Sequence, residues 1–300
     1  MHSLHLKKIT LLMLAMIVIT FTIPGKSGAR ELDEVLKAGK LRHLGIVYAN
    51  FITKEKSGLD VELMQLFAEH LGVKYEFVET DWQNVVADLT GKIVRPQGED
   101  IEISGESHPV RGDVIATGFT ILPWREKIVT FSETTFPTGI WLLARADSAL
   151  QPIAPTGEIQ KDVDLVKQGL TGVSVLGLKD SCLDPNLYAL NGTGATIETF
   201  PANRDLNEMI PAVMARITDT TLMDVPVALI ALEKWPGEIK VIGPVSPDQG
   251  MACAFAKTSP QLSQAFATFF KELKNSGRYK QLVEKYYPSL FIYYPQFLMD

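Results

Sequence analysis

The sequence predicts an α/β protein made of two successive β-α-β-α series, the pattern of parallel sheets covered by helices. The hydrophobic period alternates between that of strands and that of helices over residues 41–90, and again over residues 173–235. The chain has 300 residues, of which 46% are hydrophobic and 21% charged, so it is long enough for about two globular domains with sizeable cores. The formal net charge is −6.

Residues 1–29 are predicted to be a cleaved secretory signal peptide. Lys7 and Lys8 precede an apolar run over 9–23, and the small residues Ser27, Gly28 and Ala29 follow it. An uncleaved membrane anchor is the alternative, although the run is shorter than the roughly 20 residues of a membrane span. We therefore expect a periplasmic protein. Its mature charge, from 26 basic and 35 acidic residues, would be −9, which disfavours nucleic acid and anionic membranes as partners.

The first series is predicted from periodicity and from its helix-ending glycines. A helix over 31–39 ends at Gly39, and a helix over 60–71 ends before Gly72. The predicted strands are 41–47, 73–77, 114–116 and 128–131, and another helix opens at Trp82. Phe136 then begins the segment that leads out of the first series.

Residues 92–112 interrupt this alternation. The segment contains two prolines, several glycines and a group of acidic residues, so we predict a solvated loop. His108 among these acids raises the alternative of a metal site, but no ligand spacing supports one.

The second series is predicted to contain helices over 160–170, 204–217 and 226–235, and strands over 173–176, 196–200 and 221–223. Residues 180–190 are expected to be helical or turn-like. Strands over 239–242 and 251–255 follow, then helices over 261–273 and 279–287. The aromatic tail, 288–300, is expected to pack on the body, with partner docking as the alternative.

The sequence contains no familiar catalytic or nucleotide-binding motif. It lacks a phosphate-binding loop, a dinucleotide fingerprint, the H-E-x-x-H and C-x-x-C metal or redox patterns, and the G-x-S-x-G nucleophile motif. We therefore expect no cofactor, no metal and no enzyme activity.

Polar and aromatic residues instead occur at predicted strand ends, where open α/β sheets bind ligands. These residues are Asn50, Phe51, Trp82, Thr117, Gly118, Thr120, Arg125 and Asp224. Together they suit an amino acid: Arg125 with Thr120 would hold its carboxylate, and Asp224 its ammonium group. Trp82 and Phe51 would flank its side chain.

Each assignment has a purely structural alternative. Arg125 could pair with Glu126 or Glu133, Asp224 could cap a helix, and Trp82 could fill the core.

At this point the chain resembles the family 3 extracellular solute-binding proteins, periplasmic receptors for polar amino acids. The resemblance covers nearly the whole mature chain and rests on the segments LDEVLKAGKLRHLGI, GLDVELMQLFAEHLG, ETDWQNVVADL, GFTILPWREKIVTFSE, TTLMDVP and KELKNSGRYKQLVEKYYP. It implies a two-lobed Venus-flytrap fold with two crossover hinge segments. Lobe 1 would be 30–136 plus 245–300, and lobe 2 would be 137–244, with hinges near 135–139 and 242–245.

The resemblance assigns the same head-group roles to Arg125, Thr120, Asp224 and Trp82, and places Phe51 and Thr117 in the cleft. It also places Cys253 in lobe 1 and Cys182 in lobe 2, where a disulfide would lock the hinge, so two free thiols are expected.

Three departures from the family pattern affect the ligand's side chain. Tyr48 stands near the end of the first strand, where relatives often have an acid. In the loop after the first strand of lobe 2, Lys179, Asp180 and Ser181 replace small residues. Residues 92–112 are an insertion. Tyr48 and these three loop residues complete the predicted ligand contacts.

The sequence thus predicts an exported, monomeric receptor that captures an amino acid or similar zwitterion for an ABC permease or a membrane sensor. The first alternative is a periplasmic enzyme on the same fold, similar to cyclohexadienyl dehydratase, with Asp180 or an acid of the 92–112 segment as general acid. The second is a sensory partner protein that uses the aromatic tail. A murein-cleaving relative is not expected, since no transglycosylase domain follows the binding module.

Overall fold

The computed structural model describes residues 28–179, 181–201 and 208–298, together with the backbone but not the side chains of 292 and 293. The predicted signal peptide lies outside these residues apart from its last two positions, as does Asp180. Within the described ranges, no helix is both long and apolar enough to cross a membrane.

The described residues form two five-stranded sheets with helices packed around them. The strands are β1 (Lys40–Gly45), β2 (Lys74–Glu79), β3 (Lys92–Gln97), β4 (Asp100–Ser107), β5 (Val114–Ile115), β6 (Val129–Phe131), β7 (Phe136–Thr138), β8 (Ile140–Arg145), β9 (Ser174–Gly177), β10 (Thr196–Thr199), β11 (Thr220–Asp224), β12 (Ile239–Pro244), β13 (Gln249–Met251) and β14 (Ala254–Ala256). The α-helices are α1 (Leu32–Ala38), α2 (Leu59–His70), α3 (Val85–Thr90), α4 (Pro123–Glu126), α5 (Ile159–Gln168), α6 (Met209–Met214), α7 (Val225–Lys234), α8 (Pro260–Asn275), α9 (Arg278–Tyr286) and α10 (Leu290–Tyr293). Two short 3₁₀ turns span Pro185–Tyr188 and Leu190–Gly192.

Helix boundaries follow the local sequence. Helix α1 begins with a reciprocal capping box between Glu31 and Glu34, and it ends at Gly39, whose φ of 63° gives the left-handed conformation that glycine adopts without strain. Helix α3 begins at Val85, three residues later than expected, because the Asp81 carboxylate accepts the backbone N–H groups of Gln83 and Asn84 in a preceding turn.

The first sheet has the strand order β2-β1-β5-β14-β6. Strands β1, β2 and β5 are parallel, as predicted, but β14 returns from the far end of the sequence and pairs antiparallel with both β5 and β6. The sheet is therefore mixed rather than purely parallel.

The second sheet has the order β10-β9-β11-β8-β12, with β9, β10 and β11 parallel. Strand β8 lies antiparallel to β11 and β12, so this sheet is also mixed. The chain leaves the first sheet through β7 and returns to it through β13, and these two short strands pair antiparallel with each other. The two lobes thus have one sheet each, and the exact lobe boundaries stay predictions.

The 92–112 segment is a β-hairpin over most of its length, so the prediction of a loop was wrong. Strands β3 and β4 pair antiparallel, with Arg95 opposite Glu102 and Pro96 opposite Ile101. Gly98 forms the turn with φ 65°. The ribbon has only two strands, so one edge of β3 has no partner strand. Proline lacks an N–H group, and Pro96 is tolerated because no third strand needs that group as a donor.

The aromatic tail packs on the body, as expected. The Phe297 ring lies 6.3 Å from that of Phe136 in β7. Cys182 and Cys253 are both free and buried, which agrees with the expectation of two thiols.

Candidate functional site

The two sheets meet at a buried contact between Tyr48 and Asp224. Tyr48 follows β1 of the first sheet, and Asp224 ends β11 of the second sheet and caps α7. The Tyr48 hydroxyl donates a hydrogen bond to Oδ2 of Asp224, and both side chains are buried. Residues 176 positions apart in the sequence therefore join the two lobes directly.

Arg125 lies on the one-turn helix α4, with only 3% of its surface exposed. Its Nη1 donates to the Thr120 carbonyl oxygen at 2.7 Å. Its guanidinium carbon lies 3.9 Å from the centre of the Phe119 ring, close enough for a cation–π contact. None of the described carboxylates forms an ion pair with it, so the predicted alternative of a pair with Glu126 or Glu133 does not occur.

Burial shifts both ionisable groups towards their neutral forms. Burial lowers the pKa of Arg125 to about 10, which leaves the guanidinium charged at neutral pH. Burial also raises the pKa of Asp224 to about 7, an effect that the Tyr48 hydrogen bond and nearby N–H groups only partly offset. The contact between the lobes therefore contains a permanent buried cation and a carboxyl group that titrates near neutral pH.

Buried polar atoms without a hydrogen-bond partner are concentrated at this contact between the lobes. Among the side chains that the structure describes, five buried polar atoms have no hydrogen-bond partner. Four of them belong to the group of residues around Cys182 and Tyr188 at this contact, here called the cluster: Oγ1 of Thr120, Nε of Arg125, Oδ1 of Asp224 and Oε1 of Gln249. Buried polar groups are normally paired, so this set is suited to a polar ligand with both a carboxylate and a donor group.

Two residues of the cluster, Tyr188 and Gln249, escaped the sequence analysis, and a third, Cys182, was considered there only as a thiol of lobe 2. The Tyr188 hydroxyl donates to the Cys182 carbonyl oxygen, and Gln249 Nε2 donates to the Tyr188 hydroxyl at 3.4 Å. Tyr188 ends a 3₁₀ turn and Gln249 begins β13, and no hydrophobic period marks a direction at either position, so no sequence signal identified these two residues.

Of the other predicted contacts, Trp82 lies beside the cluster. Thr117, Gly118 and Phe51 make their contacts within lobe 1. The half-buried Trp82 ring meets Tyr48 edge to face at 5.3 Å. Thr117 Oγ1 exchanges hydrogen bonds with the backbone of Ile46, and the Gly118 N–H donates to Asp60. Phe51 is buried against Phe136 and Tyr287. Their ligand-binding roles stay predictions.

Lys179 and Ser181 line a cavity of about 490 Å³ beside Trp82. Lys179 is exposed, whereas Ser181 is buried and its hydroxyl donates to the Leu178 carbonyl oxygen at 2.8 Å. Across the described ranges, no group of three or more His, Cys, Asp or Glu side chains could hold a metal ion.

We expect Tyr48→Phe to lower the free energy of unfolding by about 1–3 kcal/mol, because the substitution removes the side-chain hydrogen bond that Oδ2 of the buried Asp224 accepts. Urea denaturation at neutral pH measures the change. Tyr294→Phe is a matched control, since its hydroxyl has no hydrogen bond to a described residue. Equal effects of the two substitutions would contradict a stabilising contact between the lobes.

Comparison of the sequence with known proteins identifies the family of this chain. A model of the bacterial extracellular solute-binding proteins, family 3, matches residues 109–289. The chain is 23% identical over 285 residues to the arginine-binding extracellular protein ArtP of Bacillus subtilis, a match that covers 92% of this chain and 97% of ArtP.

A second relative is longer. The chain is 26% identical over 266 residues to the membrane-bound lytic murein transglycosylase F of Desulfosudis oleivorans, which covers 87% of this chain. The chain spans about half, 51%, of that relative's length.

A solved structure agrees with the fold. The crystal structure of an ancestral amino acid-binding protein, a precursor of cyclohexadienyl dehydratase, superimposes with a TM-score of 0.64 at 25% identity. The match covers 85% of this chain and 98% of the ancestral one. The two-lobed α/β architecture predicted from the sequence is confirmed by this likeness.

Proposed function

Since this chain belongs to the bacterial extracellular solute-binding proteins of family 3, we propose that it captures an amino acid or similar small zwitterion between its two lobes. We propose further that it is exported to the periplasm, acts as a monomer, and delivers its ligand to an ABC permease or a membrane sensor. Closure of the lobes around the ligand would be a hinge motion through β7 and β13.

The proposal is carried by Arg125, a buried cation that no described carboxylate neutralises. Leaving a buried charge without a partner costs several kcal/mol, about 3–5 in proteins where one member of a pair was removed. A ligand carboxylate would supply the missing charge, and the free Nε and the Thr120 hydroxyl would donate to it. This pairing would supply both affinity and orientation.

Asp224 is the proposed partner for the ligand's ammonium group. Its Oδ1 is unpaired and its Oδ2 accepts the Tyr48 hydroxyl, so an incoming ammonium group would meet one free oxygen and compete for the other. A cation bound here would also lower the pKa of Asp224 from about 7, because it stabilises the ionised form. Ligand binding should therefore release protons near neutral pH.

The proposal is tested by calorimetry with a panel of amino acids. We expect at least one to bind, and we expect Arg125→Gln to weaken its binding by about 30-fold or more, since truncating one partner of a buried charge pair costs about 2–5 kcal/mol. Arg216→Gln is the matched control, because Arg216 lies on the surface in an exposed ion pair with Asp147.

The thermal unfolding of each variant is measured first, so that weakened binding is compared only between folded proteins. If Arg125→Gln does not fold, Asp224→Asn serves instead, with the same expected loss of binding. Absence of binding across the panel, or unchanged affinity in the folded variant, would contradict the proposal.

Catalysis is the weaker alternative for this chain. The candidate general acid Asp180 lies outside the described residues, and the acids of strand β4 are exposed on the hairpin. The exposed hairpin does not provide the burial that raises a carboxyl pKa for acid catalysis. An assay for turnover of a cyclic dicarboxylate by the purified protein, with product measured, distinguishes an enzyme from a receptor.

A further inference from the structure

The β3–β4 hairpin and the lobe 2 loop after β9 enclose a cavity of about 490 Å³ at the edge of the proposed site. This volume falls within the range of small-molecule pockets, about 300–1,000 Å³. The walls come from both lobes and include two indole rings, Trp82 and Trp124. The cavity is therefore a place where a ligand would contact both lobes at once.

The hairpin is held in place at both ends. At its base, His108 Nε2 lies 2.7 Å from Oδ1 of the buried Asp88, and Arg111 Nη1 donates to Oδ2 of the same carboxylate at 2.8 Å. Near its turn, Asp100 accepts Lys127 Nζ at 2.9 Å. These contacts fix the ribbon to the body of lobe 1, so its inward side is a defined wall of the cavity.

The cavity adjoins the buried cluster through both indoles. The Trp82 ring packs edge to face on Tyr48, which binds Asp224. The Trp124 ring lies 5.3 Å from the guanidinium carbon of Arg125. Trp82 and Trp124 thus stand between the cluster and the cavity, so a solute whose head group lay at Arg125 and Asp224 would have to pass these two rings to reach the cavity.

Two cations line the cavity from opposite lobes: Arg95 on β3 and Lys179 on the lobe 2 loop. Both are exposed, and neither forms an ion pair with a described residue. Among the described lining residues there is one anion, Glu102, which stands opposite Arg95 in the ladder and accepts Gln97 Nε2 at 3.1 Å. Two cations therefore line the cavity against one described anion, in a protein whose formal net charge is −6.

We propose that this cavity binds the distal arm of the solute, and that the arm ends in an anionic group held by Arg95 and Lys179. This inference rests on the proposed function, and it names the solute class as an α-amino acid with an extended arm terminated by a carboxylate. The arm's methylene groups lie between Trp82 and Trp124, and its terminal carboxylate reaches cations contributed by both lobes. The hairpin is thus a specificity element for this chain.

The test compares three probes of matched length by calorimetry. L-2-aminopimelate has a terminal carboxylate, L-2-aminoheptanoate has a terminal methyl group, and L-lysine has a terminal ammonium group. We expect aminopimelate to bind about tenfold more tightly than aminoheptanoate, equivalent to about 1.4 kcal/mol, and lysine to bind most weakly.

Variants that change the charges of the cavity test whether the preference for aminopimelate arises there. In the double variant Arg95→Gln/Lys179→Gln, the preference for aminopimelate over aminoheptanoate should fall to nearly one. Glu102→Gln removes the opposing charge from the same cavity and should increase the preference. Lys37→Gln/Lys54→Gln removes the same total charge from exposed positions outside the cavity and should leave the preference intact.

The outcomes separate the inference from the proposed function. Equal or reversed preference in the unaltered protein, or an unchanged preference in Arg95→Gln/Lys179→Gln, overturns the anionic-arm proposal. It is likewise overturned if the amino-acid panel yields a ligand while all three probes fail to bind. Failure of both the panel and the probes overturns the proposed function as well.

Discussion

Gly118→Ala, just after strand β5, should be among the most destabilising single substitutions near the first sheet. Gly118 has φ 59°, and a Cβ built there would lie 2.5 Å from Cδ2 of Phe51. The Phe51 ring is held between Phe136 at 5.1 Å and Tyr287 at 5.2 Å, so it cannot rotate away. The left-handed backbone costs an alanine about 1–2 kcal/mol, and overpacking a core costs about 1–3 kcal/mol. We therefore expect a loss of about 2–5 kcal/mol.

Gly72→Ala provides a matched control for the backbone contribution. Gly72 has nearly the same φ, 68°, but a Cβ there meets no atom within 4 Å. Gly72→Ala should therefore lower the free energy of unfolding only by the backbone contribution, about 1–2 kcal/mol. Urea denaturation of the two variants measures the difference, and equal losses would show that the contact with Phe51 is not the cause.

The helices and most strands were predictable because their hydrophobic faces repeat locally. The strand before Gly118 and the helix after Asp224 were both placed correctly within two residues. The antiparallel strand β14 was identified as a strand, but its position in the first sheet was not. That position depends on pairing with β5, some 140 residues earlier, which local periodicity does not encode.

The hairpin was missed although its sequence contains a strand signal. Ile101 and Ile103 alternate with Glu102 and Ser104, and Gly98 opens a two-residue turn. The prolines, glycines and acids of the segment masked this short alternation. A two-stranded ribbon tolerates such residues because one edge of each strand is unpaired.

For the candidate site, the sequence identified residue types at strand ends but not how they pair. It predicted that Arg125, Thr120 and Asp224 would together bind a ligand; in the structure all three lie near Cys182, and their ligand-binding roles stay predictions. It did not predict that the Tyr48 hydroxyl would bind Asp224, since this contact depends on the relative position of the two lobes. A contact of this kind is set by tertiary packing and leaves no local pattern.

Asp60→Asn should stabilise the protein at alkaline pH and have much less effect in acid. Asp60 is buried in the first turn of α2, where its Oδ2 accepts the Gly118 N–H at 2.7 Å. Burial raises its pKa from 3.8 to about 7, because the surroundings disfavour the charged form. Asparagine offers a neutral oxygen that can accept the same hydrogen bond and has no charge to bury.

The direction of the pH dependence follows from proton binding. Between about pH 4 and pH 7, the folded protein holds a proton on Asp60 that the unfolded chain has lost, so the stability contributed by Asp60 falls as pH rises through this window. One pKa unit corresponds to about 1.4 kcal/mol, so the full loss is at most about 4 kcal/mol. His43, whose pKa burial lowers to about 4, has the opposite dependence, but it is present in both proteins and cancels in their difference.

Urea denaturation of Asp60→Asn and of the unaltered protein at several pH values between 4 and 8 measures this difference. We expect it to shift in favour of the variant by about 2–4 kcal/mol across the series, with most of the shift below pH 7. Asp33→Asn is the matched control, because Asp33 also occupies the first turn of a helix, α1, but is exposed, so a shift confined to Asp60→Asn would assign the effect to burial. A pH-independent difference for Asp60→Asn would mean that Asp60 is ionised in the folded protein throughout the series, and that the Gly118 N–H and the surrounding groups stabilise its charge despite burial.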